Sequence, residues 1–592
     1  MADPLANQLP GAESQRRSVP VRFFTTCVFA TDHKVIGRRF LFSSLIWFAI
    51  GGLFALAIRW QLAWPWSDVP ILGSAINGET GVRMSPRFYD LLFSMHATIM
   101  VFFVMIPILF GAFGNFLIPL MTGADDMAFP RLNMLGYWLM WPAFGCLTLC
   151  FLLYANGLSA EWTVPPSSLL SDVSQSIKFA QQLWILSLLF VVASSMLGAI
   201  NILTTVLQMR SPGMNMIRLP MTVWGLFISA TLQAIAYPVL IAALMMQLSD
   251  LTFGTGFTGL NLAGDDLFAV DGSAQAIPWR RLFWSVSRPA AYILILPVIG
   301  MVSDMIACFS RKPLFGYRPM VCSIIAIAGL GLAVCAHQQF AVETNGSLMV
   351  SLVVPTTLIV IAISIKAFNW FATMRNGQLQ LSNPMLFSIG VVLMIMVGGF
   401  VGVIMSVPKI GMNRGTNFAV ADLHYLLFGS SILGVFAAIY FWFPKMFGRK
   451  LNLTLGKLHF LFTFLLLNCT FLPMYLLKQA HLPGTLPPHQ ASALAAEPFK
   501  NMSDFNVFIT WSAILLGATQ LIFVANFLGS LFFGKKAEAN PWRCNSLEWT
   551  TPSPPVRGNF ETQPLVYRGP YEYGHPDRDQ DFWPQSEPET SS

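Results

Sequence analysis

The 592-residue chain contains 11% charged and 55% hydrophobic residues, whereas charged residues make up about 25% of an average soluble protein. A soluble protein of this length needs more polar surface than this composition supplies. The formal net charge of +7 does not indicate a nucleic-acid partner, because Lys and Arg gather in short loops between apolar runs, a pattern that orients membrane helices. Composition therefore indicates a membrane protein and argues against nucleic-acid binding. The eight cysteines show no paired metal-site spacing.

Apolar runs long enough to cross a bilayer recur along most of the chain. A helix of about 20 residues spans the hydrocarbon core, and twelve runs meet that length. The sequence therefore predicts an all-α membrane protein with twelve transmembrane helices. The predicted spans are 39–59, 91–120, 134–155, 183–208, 221–248, 285–308, 319–338, 349–371, 385–406, 419–444, 456–477 and 508–533.

Basic residues precede the first predicted span and recur in every second loop after it. Because loops rich in Lys and Arg stay on the cytoplasmic side, both termini are expected to be cytoplasmic. Three regions follow: a cytoplasmic N-terminal segment (1–38), the twelve-helix bundle (39–533) and a Pro-rich cytoplasmic tail (534–592). The tail has too few aliphatic residues to form a core of its own.

Five polar residues fall in the outer third of the predicted bundle: His96, Arg288, His337, Asp422 and His424. An ionisable side chain inside a span is costly and marks a candidate functional site. Two imidazoles on different helices at one depth suit a low-spin haem with two axial histidines. A single histidine in a bundle can equally be a hydrogen-bonding strut, so the pattern alone leaves both interpretations open.

Six segments of the chain stand out as longer motifs. They are Thr31-Asp32-His33-Lys34 with Ile36-Gly37, and residues 89–120, 126–133, 309–317, 442–446 and 547–555. Together these motifs resemble subunit I of the haem-copper oxidases. The matching segments cover most of the chain, and twelve spans are the number in that family. The resemblance implies the haem-copper oxidase subunit I fold.

The resemblance assigns the axial ligands of the family's low-spin haem to His96 and His424, and it implies one such haem of unknown type. At the family's oxygen-reducing site the residues differ. Copper and the high-spin haem are therefore not expected, because a guanidinium stays protonated and cannot coordinate. The degenerate positions are Arg288 for a copper-binding His, Ala290 for the proton-passing Glu, His337-Gln338 for a His pair, and Asp422 for the high-spin haem ligand, with Tyr292 retained.

Polar residues of the family's proton paths also have counterparts. Asn115, Asp126 and Asn133 match the mouth of one path, and Lys366 matches the other. Ala290 interrupts the first path, and loss of the reactive centre removes the destination of both. These four residues are interpreted as remnants that make local hydrogen bonds.

Arg288 and Asp422 introduce opposite charges on neighbouring helices at similar depth. One hypothesis is that they pair across the volume that a high-spin haem would have filled, since a lone buried charge costs several kcal/mol. The alternative is that each side chain reaches the outer interface separately.

Three functions remain open at this stage. The leading one is a subunit I-like component of a respiratory complex that retains one low-spin haem, for electron transfer or structure, without reducing oxygen. The others are an active terminal oxidase with an unorthodox site and a haem-free scaffold. The resemblance implies a multi-pass protein of a prokaryotic inner or plasma membrane. Its expected partners are lipid and other membrane subunits, either subunit II- or III-like, cytochrome c-like or quinol-oxidising.

Overall fold

The architecture comes from a computed structural model of the chain. The structure describes residues 28–64, 67, 70, 84, 86–154, 175–255, 257, 282, 287–340, 348–406, 416–475, 497–574 and 580–588. Within these residues the fold is helical, and β-structure is limited to two isolated bridges, Arg449–Lys536 and Tyr573–Phe582. The predicted all-α class is therefore confirmed.

Twelve long helices, named α1 to α12 here, account for the described part of the bundle. Two of them, α2 and α10, each join α-helical and π-helical segments end to end. The bounds are α1 His33–Ala63; α2 Pro86–Thr98, Ile99–Met105, Pro107–Gly114 and Asn115–Thr122; α3 Pro130–Tyr154; α4 Gln175–Gln208; α5 Met221–Phe253; α6 Ser287–Ser310; α7 Tyr317–Phe340; α8 Leu348–Met374; α9 Asn383–Ser406; α10 Thr416–Leu423, His424–Gly429 and Ser430–Phe447; α11 Leu453–Phe471; and α12 Glu497–Phe533.

Eleven of these helices are long and apolar enough to cross a membrane, and the apolar part of α7, Tyr317–Ala333, is shorter. A twelfth crossing and the cytoplasmic position of both termini stay predictions. Helix α1 begins earlier than its predicted span because Asp32 caps it, its carboxylate accepting a 2.8 Å hydrogen bond from the Lys34 amide. Such a cap replaces a missing intrahelical partner.

The most enclosed helices lie at the centre of the bundle. Helices α2, α6 and α10 are largely buried by their neighbours, whereas α1, α3, α8, α11 and α12 leave much of their surface for lipid. Close packing of α1 on α2 depends on a missing side chain, since a β-carbon at Gly111 would overlap the Phe40 ring. The core therefore keeps α2 and α10, which carry both predicted haem ligands, away from lipid.

The described part of the C-terminal tail folds onto one end of the bundle. The Lys445 ammonium donates to the Thr551 carbonyl at 2.7 Å, and Arg311 donates to the Arg543 carbonyl at 2.8 Å. A disulfide joins Cys308 on α6 to Cys544 in the tail, a pairing that sequence spacing did not indicate. The tail is thus an ordered part of this end of the molecule.

Candidate functional site

His96 lies on α2, just before the first π-helical segment. Its Nδ1 donates a 2.9 Å hydrogen bond to the carbonyl of Gly51 on α1. Gly51 permits this approach, because a β-carbon there would lie 3.0 Å from Ile99 Cγ2 and from Met100 Sδ. With the proton on Nδ1, the Nε2 lone pair is available to a metal.

His424 is the first residue of the π-helical segment of α10. Its Nδ1 donates a 2.7 Å hydrogen bond to the Val420 carbonyl one turn earlier. The ring stacks on Phe471 of α11, with centroids 4.1 Å apart and planes 16° from parallel. The tautomer and the rotation of this imidazole are therefore both restrained, and Nε2 again carries the lone pair.

The two imidazoles are close enough to interact electrostatically. Both lie within the bundle, and both lie at a change from α- to π-helix, a local geometry frequent at functional sites. Two neutral imidazoles with fixed tautomers on facing helices are a donor set that fits axial ligation of haem iron. The structure thus brings together the two residues that the sequence predicts as ligands.

Asp422 lies next to the hydroxyl of Tyr475, at the end of the α11 region. Tyr475 packs on Phe418 with ring centroids 4.9 Å apart and on Tyr425 at 5.5 Å. The Tyr425 hydroxyl in turn donates a 2.7 Å bond to Asn468 Oδ1. Sequence reasoning missed this polar and aromatic cluster, because the short helix that carries Tyr475 follows α11 without any motif that marks it.

The other positions of the degenerate site are only partly described. The backbones of Arg288, His337 and Gln338 belong to α6 and α7, but their side chains lie outside the described residues. Ala290 is half-buried on α6. The ring of Tyr292 fills the space beside Gly331 of α7, where a β-carbon would overlap it.

The predicted remnants of the first proton path lie at the end of the bundle covered by the tail. Burial raises the pKa of the Asp126 carboxyl to about 6 despite a hydrogen bond from the Met127 amide. Asn115 and Asn133 are buried, and within the described residues neither Asn115 Oδ1 nor Asn133 Nδ2 has a partner. Asn201 was not among the predicted residues. Its Oδ1 accepts a hydrogen bond from the Phe129 amide at 2.7 Å, and its Nδ2 donates one to the Phe129 carbonyl at 3.0 Å.

The remnant of the second path is Lys366 on α8. It is buried, and its ammonium donates a 2.9 Å bond to the Met320 carbonyl of α7. This hydrogen bond links α8 to the backbone of α7. Such a local contact agrees with a structural role for the lysine.

A helical bundle of this kind, with two imidazoles on facing helices, is typical of the haem-copper oxidase subunit I class. Residues 35–545 match the family of cytochrome c and quinol oxidase polypeptide I. The chain belongs to this family, and it is a cytochrome c oxidase subunit I-like membrane subunit.

Relatives match over nearly their whole length. The chain is 41% identical to cytochrome c oxidase subunit 1 of a Synechocystis species over 554 residues, 93% of each chain. It is 36% identical to an alternative cytochrome c oxidase subunit 1 of Bradyrhizobium diazoefficiens, covering 96% of this chain and 94% of that one. A solved haem-copper terminal oxidase dimer shares the fold, with a TM-score of 0.65, 15% identity, and 86% and 85% coverage.

Proposed function

We propose that this protein is a subunit of a respiratory membrane complex that holds one low-spin haem between His96 and His424 and does not reduce oxygen. One observation carries the proposal: each Nδ1 donates to a backbone carbonyl, so each Nε2 is free to ligate.

The chain's own contribution at this site is to select the tautomer, restrain the ring and exclude water. The Gly51 and Val420 carbonyls select the tautomer, and such partners also raise ligand basicity. Phe471 covers one face of the His424 ring. A haem bound there supplies one-electron redox chemistry.

The donor set at the second site supports the loss of oxygen reduction. Arg288, His337 and Gln338 offer one imidazole where the family has three, and copper in such sites needs several nitrogen ligands. Asp422 stands where the family has the high-spin haem ligand, and it lies beside Tyr475 rather than presenting an imidazole. Ala290 has no group that could hold a proton.

The proposed setting is the plasma membrane of a prokaryote. The similar proteins of Synechocystis and Bradyrhizobium are oxidase subunits by name, so this chain is expected to assemble with other membrane subunits of a respiratory oxidase complex. Subunit II- or III-like chains and a cytochrome c-like or quinol-oxidising donor are the partners that this chemistry suits. The regions 1–38, 39–533 and 534–592 are proposed as N-terminal segment, bundle and tail.

Spectroscopy of the purified native complex tests the proposal. We expect a reduced-minus-oxidised spectrum with one low-spin haem, no shift with carbon monoxide, and no copper at this subunit by metal analysis. His96→Ala and His424→Ala should each abolish the low-spin band. The matched control is His459→Gln, because His459 is also buried but contacts Tyr440 and Gln520.

Two results would replace this function with another. A carbon monoxide-reactive second haem together with copper would identify an active terminal oxidase. An intact complex without any haem band would identify a haem-free scaffold.

A further inference from the structure

A row of buried polar side chains lies on α5. Ser229, Gln233 and Tyr237 are 0%, 0% and 2% exposed. Within the part of the chain that the structure describes, the Ser229 hydroxyl, both polar atoms of the Gln233 amide and the Tyr237 hydroxyl are unpartnered. Buried polar groups are nearly always paired, and each unpaired one costs about 1–3 kcal/mol. Four such atoms on one row therefore indicate a binding site for small molecules that form hydrogen bonds.

The spacing of the row indicates what that ligand is. Successive members are four residues apart, which is a rise of about 6 Å along a helix. A water molecule that bonds two polar atoms joins groups roughly 5.6 Å apart, twice an ordinary O–H···O distance. The backbone spacing of the row therefore matches the reach of one bridging water on each side of Gln233. Uncharged groups that both donate and accept suit water better than an ion.

The backbone contacts of α5 with α6 show where the row lies. A β-carbon at Gly225 would overlap the Leu296 carbonyl oxygen, and a β-carbon at Gly300 would overlap the carbonyl of Met221. The helices are thus antiparallel, and four residues forward on α5 correspond to four residues back on α6.

In this register the row extends along α5 towards the level of the degenerate site. Ser229 falls level with Tyr292, and Gln233 falls level with the backbone of Arg288.

We propose that Ser229, Gln233 and Tyr237 bind a row of internal water molecules between α5 and α6. The waters satisfy the four unpartnered atoms and bring hydrogen-bonding capacity to the level of Arg288. Ordered internal water of this kind is part of a folded structure and is costly to remove. The site requires no haem, so its test is independent of the proposed function.

X-ray hydroxyl-radical labelling of the full-length protein in lipid nanodiscs tests the row directly, because bound water generates radicals where it sits. Tyr237 should be oxidised several-fold faster than Tyr425. Tyr425 is the matched control, since it is equally buried but its hydroxyl already donates to Asn468. Labelling of Tyr237 no faster than that of Tyr425 would overturn the proposal.

Two variants give a second reading. Gln233→Leu should lower both the labelling of Tyr237 and the melting temperature, because it takes two partners from the waters. If the row is dry, Gln233→Leu removes an unpaired amide and the melting temperature rises instead. Tyr237→Phe removes a single oxygen and should likewise lower the melting temperature. A rise in either variant would contradict a hydrated row.

Discussion

At the scale of single residues, the two proposed haem ligands differ in how firmly they are held. Each has one carbonyl partner, but only His424 also has an aromatic ring stacked on it, that of Phe471 at 4.1 Å. Stacked rings in proteins stabilise one another by about 0.5–1.5 kcal/mol beyond burial. The plane of the His424 imidazole therefore depends on Phe471.

Replacing Phe471 with Leu should leave haem content unchanged but shift the low-spin signal in electron paramagnetic resonance, because the ligand ring becomes free to rotate. Phe428→Leu is the control, since that ring lies 5.6 Å from His424 at a tilt of 53°. Haem retained with an unchanged signal in Phe471→Leu would refute the positioning role. If the parent protein contains no haem at all, the ligand assignment itself is refuted.

The raised pKa of Asp126 predicts a pH-dependent stability. Burial lifts this pKa from 3.8 to about 6, so between these pH values the folded state binds more protons than the unfolded state. This carboxyl therefore makes stability fall as pH rises from about 4 to 6, with no further change above 6. Asp126→Asn should remove that penalty and be more stable than the parent at pH 7.

Melting temperatures measured from pH 4 to pH 8 check this expectation. The advantage of Asp126→Asn should grow up to about pH 6 and then stay constant. Asp125→Asn, at an exposed neighbouring position, should track the parent protein at every pH. An advantage for Asp126→Asn that is already complete at pH 4 would contradict the titration.

At the scale of helices, α6 and α10 carry opposite charges at the degenerate site, Arg288 and Asp422. If Arg288 and Asp422 pair, Arg288→Met should destabilise the protein by about 3–5 kcal/mol, because it leaves the Asp422 carboxylate without its charged partner. Arg288→Met combined with Asp422→Asn should recover most of that loss. Denaturation of the three proteins measures it, and equal stability of the single and double variants would exclude pairing.

The sequence predicted the helical bundle and singled out His96 and His424, because both inferences rest on local signals. Hydropathy marks each helix, and family motifs surround His96 and His424. The π-helical segments were not predicted, since the residues of Ile99–Met105 and His424–Gly429 have the same apolar composition as an α-helix. The position of the Tyr475 side chain beside Asp422 depends on tertiary packing, which no local sequence pattern encodes.

At the scale of the whole molecule, the C-terminal tail connects elements that are distant in sequence. The disulfide between Cys308 and Cys544 joins residues 236 positions apart. The pairing was not predicted because spacing alone does not reveal which cysteines meet in a fold. The carbonyls that accept hydrogen bonds from Lys445 and Arg311 also belong to the tail. Stability of this end of the bundle is therefore shared between helices and tail.

Asn559 of that tail contacts several parts of the chain through its side chain. Its side-chain oxygen accepts a 2.7 Å bond from the Lys34 ammonium and lies 3.0 Å from His33 Nε2. Its amide nitrogen donates to the carbonyls of Ala124 and Asp125, at 2.8 and 3.0 Å. One buried side chain thus joins the start of α1, the loop after α2 and the tail.

Asn559→Ala should destabilise this end of the molecule, because the Lys34 ammonium keeps only Asp32 as a partner and the buried Ala124 carbonyl loses its donor, and a buried group left unpaired costs about 1–3 kcal/mol. Asn559→Gly is the matched control for backbone strain, since φ at this position is +66° and glycine adopts that conformation freely. Both variants lose the same bonds, so both should unfold at lower temperature, with alanine the worse. The haem spectrum expected from the proposed function should not change, because Asn559 bonds the loop after α2, whereas His96 and His424 lie within α2 and α10. A glycine variant as stable as the parent would show that the bonds of Asn559 do not hold the tail in place.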